Sequence, residues 1–595
     1  MFIGFGIVIL VFVFFFLLSS NKSFIKYRKK EISTYALFGM PNGKIGRLLF
    51  LETLMIGTAA LIAGILIGVF FSKLITMILL KMIMSAYSGD ISFALEPAAM
   101  IATVIIYLGI FSMMGLSGLR TINKFPLVDL FKGGKVSEGN SKGSYVMLVL
   151  SILLIALGYA FALLPNAGVV IAAMIFVIFV VVVGTYLFFA GGLQKILHFV
   201  KKNKKRLYKK SRLVSVSLLS HKAKTMAGTM GTIAVLVAVA TTAIAFGYTI
   251  YQSTEKNVYE TSSFDVWYYT DDRTLSEDVH AILNKHGLDV TDEISFQRYV
   301  SKPEAINMPS QYSYFFDEDN DSMTYSESTY NAIAEASKDS NTPIDVEKGK
   351  VAVLYPNYQY DVEAEDTTIV IGDRQFQAAF KKMANTYSYG GMLLTLVLDD
   401  EDFDALLASG QISTRNGQLW PFTGINYENA LGANEAAAEI AQTAASRTGM
   451  YRNAYDLYIE QISLFGLLCF IGFFICAVFI LMSVSMLYFK QVVIGVEEKR
   501  QYEMLRKIGM SSDEERRIVR SRLAPVFFVP LIIGIVHSLF AMKAADTIVF
   551  SNLIVTQGAT FATVLMASLV MYAIYTAAYT VFYFITKAQY KKAIR

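Results

Sequence analysis

The sequence predicts a polytopic α-helical membrane protein that carries one large extracellular α+β domain. Of its 595 residues, 54% are hydrophobic and only 17% are charged, which is too little polar surface for a soluble protein. Nine apolar runs are long enough to cross a bilayer as helices, which takes about 20 residues each. These runs are residues 1–19, 48–72, 98–117, 145–163, 168–190, 226–250, 461–487, 523–543 and 557–585.

Positive charge is concentrated in alternate segments between these runs, and such segments face the cytoplasm in membrane proteins. The basic segments are residues 20–47, 118–143, 191–224, 488–522 and the C-terminal tail. We therefore expect a multi-pass protein of the cytoplasmic membrane with residues 251–460 outside the cell. The same alternation puts Met1 at the outer face, so we expect a first helix to be missing and the full count to be ten spans.

Residues 251–458 differ sharply from the rest of the chain, because they hold 34 acidic and only 14 basic residues. A segment of about 200 residues is long enough to build its own core. Residues 308–345 are rich in Ser, Asp, Asn and Tyr and are predicted to be a long flexible loop. Period-two and helical patterns predict strands at 351–358, 367–376 and 392–400, and helices at 401–409 and 427–447.

The two halves of the membrane part repeat each other at a constant offset of 470 residues. Internal repeats of this kind build a pseudo-symmetric membrane core, in which Gly64 and Gly534 are predicted to pack helices. The identical pairs are Lys29 and Lys499, Gly39 and Gly509, Met40 and Met510, Arg47 and Arg517, Leu61 and Leu531, Ile62 and Ile532, Gly64 and Gly534, and Ile65 and Ile535. The predicted organisation is a first unit (1–130), an inserted helix pair with a basic loop (131–224), a connecting span (225–250), the α+β domain (251–460) and a second unit (461–595).

Each repeat contains a charged segment after an apolar run, "KKEISTYALFGMP" in the first and "KRQYEMLRKIGMS" in the second. Each is predicted to be a helix that leaves the membrane and ends at Gly-Met, because Gly commonly follows a helix C-terminus. In the first copy, Ile25, Ile32, Tyr35 and Phe38 fall on one side of that helix.

One such segment alone favours a juxtamembrane basic turn, but two in register favour docking elbows, since a symmetric partner needs two equivalent contacts. The residues predicted to make these contacts are Lys29, Lys30, Glu31, Gly39 and Met40 in the first copy and Lys499, Arg500, Gln501, Gly509 and Met510 in the second.

The sequence contains none of the motifs that would make this chain an enzyme or an ion-coupled transporter. It has no phosphate-binding loop of the form G-x-x-x-x-G-K-[ST], no H-E-x-x-H and no G-x-S-x-G. His537 alone lies at a mid-membrane position and is interpreted as a hydrogen-bonded packing residue. We therefore expect no cofactor, no metal, no nucleic acid and no catalysis in this chain.

The densest run of basic residues, in segment 191–224, has two possible interpretations. It anchors the chain on anionic lipid headgroups, where each charge is worth about 1 kcal/mol, or it contacts an acidic partner. The residues concerned are Lys201, Lys202, Lys204, Lys205 and Arg206.

The stretch "KKEISTYALFGMPNGKIGRLLFLE" (29–52) resembles the signature of the FtsX-like permease domain of ABC transporters, with its basic-Glu-Ile start, Leu-x-Gly-Met and following Glu. The second copy departs from that signature, with Gln501 for Glu31 and Arg522 for Glu52, and is interpreted as a degenerate partner. Two such units, two inserted spans and one large outer domain are similar to the bacitracin-resistance (Bce-type) permeases of Gram-positive bacteria.

That resemblance implies a permease driven by a separate ATPase, a homodimer that binds the ATP and Mg. It implies that force passes from the elbows through stalk helices to the outer domain, which releases antimicrobial peptides such as bacitracin from lipid-linked cell-wall precursors. It also implies signalling to a membrane histidine kinase. The alternatives are an FtsX-type regulator of cell-wall hydrolases or a lipid or lipoprotein extractor, and such proteins generally have four spans.

Overall fold

The computed structural model describes most of the chain. The described residues are 2–83, 96–123, 144–202, 212–272, 274–309, 321–356, 362, 364, 366–383, 394–414, 419–445, 447–448, 450–550 and 561–595. The helices are α1 (Phe2–Tyr27), α2 (Lys29–Leu37), α3 (Asn42–Ile83), α4 (Pro97–Asn123), α5 (Tyr145–Ala162), α6 (Ala167–Leu187), α7 (Leu193–Lys202), α8 (Arg212–Gln252), α9 (Thr254–Ser262), α10 (Thr274–Lys285), α11 (Glu327–Ala336), α12 (Asp400–Ala408), α13 (Asn434–Ala444), α14 (Ala454–Lys507), α15 (Ser512–Ala545) and α16 (Phe561–Ala593).

Within the described ranges, eight helical segments are long and apolar enough to cross a membrane. They are α3, α4, α5, α6 together with α7, α8, α14, α15 and α16. Each covers one of the predicted runs, so the prediction of a polytopic helical membrane protein is confirmed. The remaining run, residues 1–19, lies in α1, where Ile9–Leu18 forms a shorter apolar stretch.

The internal repeat is visible in the positions at which helices begin and end. Helix α2 ends at Leu37 and α14 at Lys507, while α3 begins at Asn42 and α15 at Ser512. Both pairs of positions are separated by the same 470 residues that align the sequences. The repeat is therefore a repeat of structure, and α3 and α15 are equivalent spans.

Glycines allow close helix packing in the second unit, where α8, α14, α15 and α16 share one core. A Cβ added at Gly534 of α15 would lie 2.6 Å from the Val237 side chain and 2.8 Å from the Ala234 carbonyl oxygen. The predicted counterpart in the first unit does not pack in this way. No described atom outside the adjoining turns of its own helix lies within 4 Å of a Cβ at Gly64, because this glycine faces a cavity between α1, α3, α4 and α14.

The inserted helices α5 and α6 are joined to α15 by His537. Its Nδ1 lies 2.6 Å from the Tyr159 hydroxyl and its Nε2 lies 2.8 Å from the Thr185 hydroxyl. The Tyr159 ring also stacks on Phe540, with 3.7 Å between ring centroids. His537 is thus a hydrogen-bonded packing residue, as its mid-membrane position predicted.

The α+β domain contains two sheets. Strands β11-β1-β10-β2 form an antiparallel sheet, and β3-β5-β9-β6-β8-β7-β4 form a mixed sheet in which β5 with β9 and β6 with β8 run parallel. The strands are β1 (Val266–Tyr269), β2 (Val290–Phe296), β3 (Val300–Ser301), β4 (Pro303–Ile306), β5 (Ser322–Ser326), β6 (Lys350–Pro356), β7 (Thr368–Ile371), β8 (Arg374–Met383), β9 (Thr395–Leu398), β10 (Phe422–Tyr427) and β11 (Met450–Asn453).

All three predicted strand regions are confirmed by β6, the β7–β8 hairpin and β9. The hairpin turns at Gly372, where φ is +62°. The helix predicted at 427–447 begins later, at Asn434, because residues up to Tyr427 belong to β10. The flexible loop predicted at 308–345 is wrong for its second part, since β5 and α11 lie there and Tyr325 is buried in the core; residues 310–320 lie outside the described ranges.

Two long helices, α8 and α14, connect the α+β domain to the spans, and together with α9 we call them the stalk helices. The chain enters through α8 and α9 and leaves through α14, and the first and last strands of the domain, β1 and β11, pair with each other. The Ala454 N–H donates to the Asp265 carbonyl at 2.7 Å, and the Asn257 side chain donates to Gln461 at 2.7 Å. Helix α14 also crosses the predicted domain boundary at residue 460 without a break.

The glycine packing yields a matched pair of variants, Gly534→Val and Gly64→Val. We expect Gly534→Val to destabilise the second unit by about 1–3 kcal/mol, as overpacked cores do. Gly64→Val should change stability by less than about 0.5 kcal/mol. Cys469 and Cys476 are buried free thiols in α14, so heating in detergent with a thiol-reactive dye reports the unfolding of this unit. Equal melting temperatures for the two variants would contradict the packing described here.

Candidate coupling site

We call residues 28–52 the first elbow. Its helix ends at a turn in which Gly39 has φ = +82°, a left-handed conformation that glycine adopts without steric cost. The Gly39 N–H donates to the Ala36 carbonyl and the Met40 N–H donates to the Tyr35 carbonyl, both at 3.1 Å. This is the Schellman motif, which satisfies the last carbonyls of a helix.

We call residues 498–522 the second elbow, and its turn is the same. Gly509 has φ = +97°, its N–H donates to the Arg506 carbonyl at 3.0 Å, and the Met510 N–H donates to the Leu505 carbonyl at 3.1 Å. The predicted helix ends at both Gly-Met pairs are therefore confirmed. Their role in contacting a partner stays a prediction.

The helix that leaves each elbow starts differently. In the second elbow, Ser511 and Glu514 form a reciprocal capping box, with the Glu514 N–H donating to the Ser511 hydroxyl at 3.2 Å and the Ser511 N–H donating to the Glu514 carboxylate at 3.0 Å. In the first elbow, the Pro41 carbonyl accepts from the Ile45 N–H at 3.2 Å. The second turn has side-chain caps of the kind that fix a helix start.

An apolar side chain is exposed at the tip of both elbows. Phe38 is 82% exposed and Ile508 is 80% exposed, and the two occupy the same position in the repeat. Phe38 thus leaves the apolar side on which the sequence placed it with Ile25 and Ile32, both of which are buried. Their equivalent places on elbows of the same geometry make these two side chains the candidates for contact with a partner.

The other predicted contact residues lie on the arms of the elbows. The side chains of Lys499, Arg500 and Gln501 are exposed on α14. Glu31 lies on α2 and pairs with Arg28 at 2.7 Å. Lys29 and Lys30 belong to the first turn of α2, and their side chains lie outside the described part of the structure.

The predicted basic loop is described only at its start. Lys201 and Lys202 end helix α7. Lys204, Lys205 and Arg206 lie outside the described residues.

An ion pair joins the two arms of the first elbow. The Arg28 guanidinium, at the junction of α1 and α2, pairs with the Glu52 carboxylate on α3 as well as with Glu31. The Arg28 and Glu52 side chains are 19% and 33% exposed, so the pair is only partly shielded from solvent. Bonding to Glu52 raises the pKa of Arg28, which is charged at every physiological pH.

A second ion pair joins the arms of the second elbow. The Glu498 carboxylate on α14 lies 2.7 Å from the Arg522 guanidinium on α15, and each side chain is only 2% exposed. The Tyr590 hydroxyl donates to Glu498 at 2.7 Å, and the Arg522 guanidinium both donates to that hydroxyl and lies over the Tyr590 ring at 4.9 Å. This pair is buried, and both partners bond to Tyr590 on a third helix, α16.

The two ion pairs occupy the same repeat positions with opposite charges. The offset of 470 relates Arg28 to Glu498 and Glu52 to Arg522. Arg522 in place of Glu52 departs from the FtsX-like signature, but the repeat also has Glu498 in place of Arg28. The interpretation of this position as degenerate is therefore corrected: the charge is inverted, and its partner is inverted with it.

The far ends of the stalk helices, where they meet the α+β domain, hold buried carboxyl groups. Burial raises the pKa of Glu260 on α9 to about 7, although the Ser340 hydroxyl donates to it at 2.8 Å. Burial also raises the pKa of Asp339, which accepts from the Ser263 and Ser337 hydroxyls. Within the described ranges, no group of three or more His, Cys, Asp or Glu side chains could hold a metal ion.

Residues 3–127 match the family model of the FtsX-like permease C-terminal domain. The first unit of the chain thus carries an FtsX-like permease domain, and the eight apolar helices are those of a multi-pass membrane protein.

Its similarity to individual permeases extends over almost the whole chain. It is 26% identical to the bacitracin export permease protein BceB of Bacillus subtilis and 27% identical to the protein of the same name from Halalkalibacterium halodurans. It is 24% identical to an uncharacterized ABC transporter permease, YvcS, of Bacillus subtilis. Each comparison covers 99% of this chain and 90% of the relative.

The turn geometry predicts a graded response to substitution at Gly39 and Gly509. No described atom lies within 4 Å of a Cβ at either glycine, so alanine there meets only the backbone cost of the left-handed conformation, about 1–2 kcal/mol. Asn tolerates this conformation better and serves as the matched control. We expect faster amide hydrogen exchange in each elbow for Ala than for Asn. Equal exchange in the wild type and the alanine variants would contradict the assigned helix ends.

The raised pKa of Glu260 predicts how the stability of the α+β domain depends on pH. Folded Glu260 holds its proton up to about pH 7, whereas the unfolded chain releases it above about 4.5. Its contribution to stability is therefore fully present below pH 4.5 and is lost as the pH rises through 7. We expect Glu260→Gln to flatten the decline in melting temperature between pH 5 and pH 8.

The chain contains two tryptophans, Trp267 and Trp420, and both lie in this domain, so intrinsic fluorescence of the full protein follows its unfolding alone. Glu255→Gln, an exposed carboxyl on the same helix, is the control. If the melting temperatures of the wild type and of Glu260→Gln fell by the same amount between pH 5 and pH 8, the Glu260 carboxyl would not be the source of the pH dependence.

Proposed function

We propose that the chain is the permease subunit of an ABC transporter that confers resistance to bacitracin-like antimicrobial peptides. The observation that carries this proposal is the pair of equivalent elbows with exposed apolar tips, Phe38 and Ile508. A homodimeric ATPase presents two equivalent surfaces, and two equivalent elbows fit such a partner. The ATPase binds the ATP and Mg, so this chain needs no nucleotide site of its own.

Force from the ATPase reaches the α+β domain through the stalk helices. Helix α14 runs unbroken for 54 residues from the domain to the second elbow, a length of about 80 Å at 1.5 Å per residue. In this proposal, the elbows lie in the cytoplasm and the domain lies outside the cell. Movement of the elbows then changes the position of the domain, and no peptide passes through an aqueous pore.

The charge of the α+β domain suits a cationic ligand. Residues 251–458 carry an excess of acidic residues, and two of the relatives are named for bacitracin export. We propose that the domain releases such peptides from lipid-linked cell-wall precursors at the membrane surface, where attraction acts over about 8 Å at physiological salt. Signalling to a membrane histidine kinase is the remaining part of the proposal and is carried by the family resemblance.

The elbow tips provide the test. We expect Phe38→Asp and Ile508→Asp each to weaken co-purification of the co-expressed ATPase subunit and to reduce the bacitracin concentration that cells tolerate. A charge at the centre of an apolar contact leaves a desolvated carboxylate without a partner. The double variant should fall to the tolerance of a strain without the ATPase.

Ile306→Asp is the matched control, because Ile306 is also an exposed apolar residue, at 45%, but lies in β4 of the α+β domain. It should leave ATPase binding unchanged. Wild-type ATPase binding by the Phe38→Asp/Ile508→Asp variant would refute docking at the elbows. Unchanged bacitracin tolerance on deletion of the chain, with altered cell-wall hydrolysis, would favour the FtsX-type regulator instead.

A further inference from the structure

We propose that the ion pairs Arg28–Glu52 and Glu498–Arg522 are positioning residues that make each elbow move as one body with its span. This inference rests on the proposed function, since it concerns how force from the ATPase is passed on. The residues bind neither nucleotide nor peptide. They determine whether displacement of an elbow tip displaces the membrane helices or is absorbed by bending of the elbow.

We call each of these two ion pairs a tie, because it joins the two helices of one elbow at the base of the hairpin. Each pair joins the helix that enters an elbow to the helix that leaves it, eleven residues before the turn glycine and thirteen after it. At 1.5 Å per residue, the tie lies about 16–20 Å from the tip. A hairpin that is closed at the tip by a Schellman turn and at the base by an ion pair cannot open without breaking one of them.

The inversion of charge indicates that the two repeats share the ion pair between the arms and not the sign of the charge at either position. If only a positive or only a negative group were needed at position 28 or 52, the repeat-related position would hold the same sign. Instead, Glu498 replaces Arg28 and Arg522 replaces Glu52, and the two still meet at 2.7 Å. The requirement common to both units is the bond between the arms, and the sign of each partner is free.

The opposite polarity also fixes which arms pair. Exchange of partners between the units would place Arg28 beside Arg522 and Glu52 beside Glu498. Like charges at such distances repel, most strongly where the site is shielded from water. Each elbow therefore closes only on the span of its own unit, although the two units share one architecture.

The two ties differ in strength. The second is 2% exposed on both sides, is bonded to Tyr590, and lies beside a further contact in which Arg506 pairs with Glu515 at 2.9 Å. In the first, Arg28 divides its donors between Glu31 and Glu52 and remains partly solvent-exposed. The first elbow is therefore the more compliant of the two, and its tie is the one that substitution tests most cleanly.

The test uses three variants of the first tie in the full chain, co-expressed with its ATPase: Arg28→Glu, Glu52→Arg and the double exchange Arg28→Glu/Glu52→Arg. Each single variant puts like charges in contact, and the double variant gives the first tie the polarity of the second. We expect both single variants to keep ATPase binding but to reduce bacitracin tolerance to that of a strain without the ATPase. The double variant should restore most of the tolerance.

A distance measurement separates positioning from a loss of folding. Nitroxide labels at Leu37 and Ile56, both exposed, report the angle between elbow and span in a background with Cys469 and Cys476 replaced by Ala. The distance distribution should broaden in each single variant and narrow again in the double variant. Lys348→Glu, which breaks an exposed pair with Glu401 in the α+β domain, is the control and should change neither tolerance nor distance, since exposed pairs contribute little.

The outcomes separate this inference from the proposed function. Loss of ATPase binding on substitution of Phe38 and Ile508, together with full tolerance in the Arg28→Glu variant, would overturn the inference and leave the proposed function standing. The inference would also be overturned if the double exchange were as defective as the single variants and its distance distribution stayed broad. The residue type at each position, and not the ion pair between them, would then be required. If the Phe38→Asp/Ile508→Asp variant bound the ATPase as strongly as the wild-type chain does, the proposed function would instead be refuted.

Discussion

The arrangement of the membrane part depends on ionic bonds between helices that meet at an elbow. A charged side chain placed near the apolar region of a membrane is costly unless it is paired, so each charge at these positions requires its opposite on the facing arm. Arg28 with Glu52 and Glu498 with Arg522 satisfy this requirement in reversed order. The capping box at Ser511 and the Schellman turns at Gly39 and Gly509 add hydrogen bonds to the same two hairpins.

The other end of the stalks is held by backbone pairing. Strands β1 and β11 bring the entry and exit of the α+β domain side by side, Ala454 at the start of α14 bonds to Asp265 just before β1, and Asn257 on α9 bonds to Gln461 on α14. The domain is therefore attached through two neighbouring helices. Tilting of one helix relative to the other is the simplest motion that this attachment transmits.

Much of the fold was predictable because its signals are local and strong. Apolar runs of span length, the Gly-Met ends of both elbow helices and the Gly372 turn all depend on residues close together in sequence. The failures concern contacts at long range. Nothing near Gly64 in the sequence reveals that it faces a cavity, and Tyr325 in a polar stretch gives no local sign that it is buried. Glu498 could have been found as the counterpart of Arg28, but only by comparing every aligned position of the repeat, including those at which the two residues differ.

The inverted ion pairs bear on how the two units came to differ. Reversal of an ion pair needs two substitutions, and the intermediate holds two like charges or one unpaired charge. Such an intermediate costs less free energy where water screens the charges, as at Arg28 and Glu52, than where both side chains are 2% exposed, as at Glu498 and Arg522. The two arms of an elbow therefore form a single unit of inheritance. A recombination point between them would separate each charge from its partner.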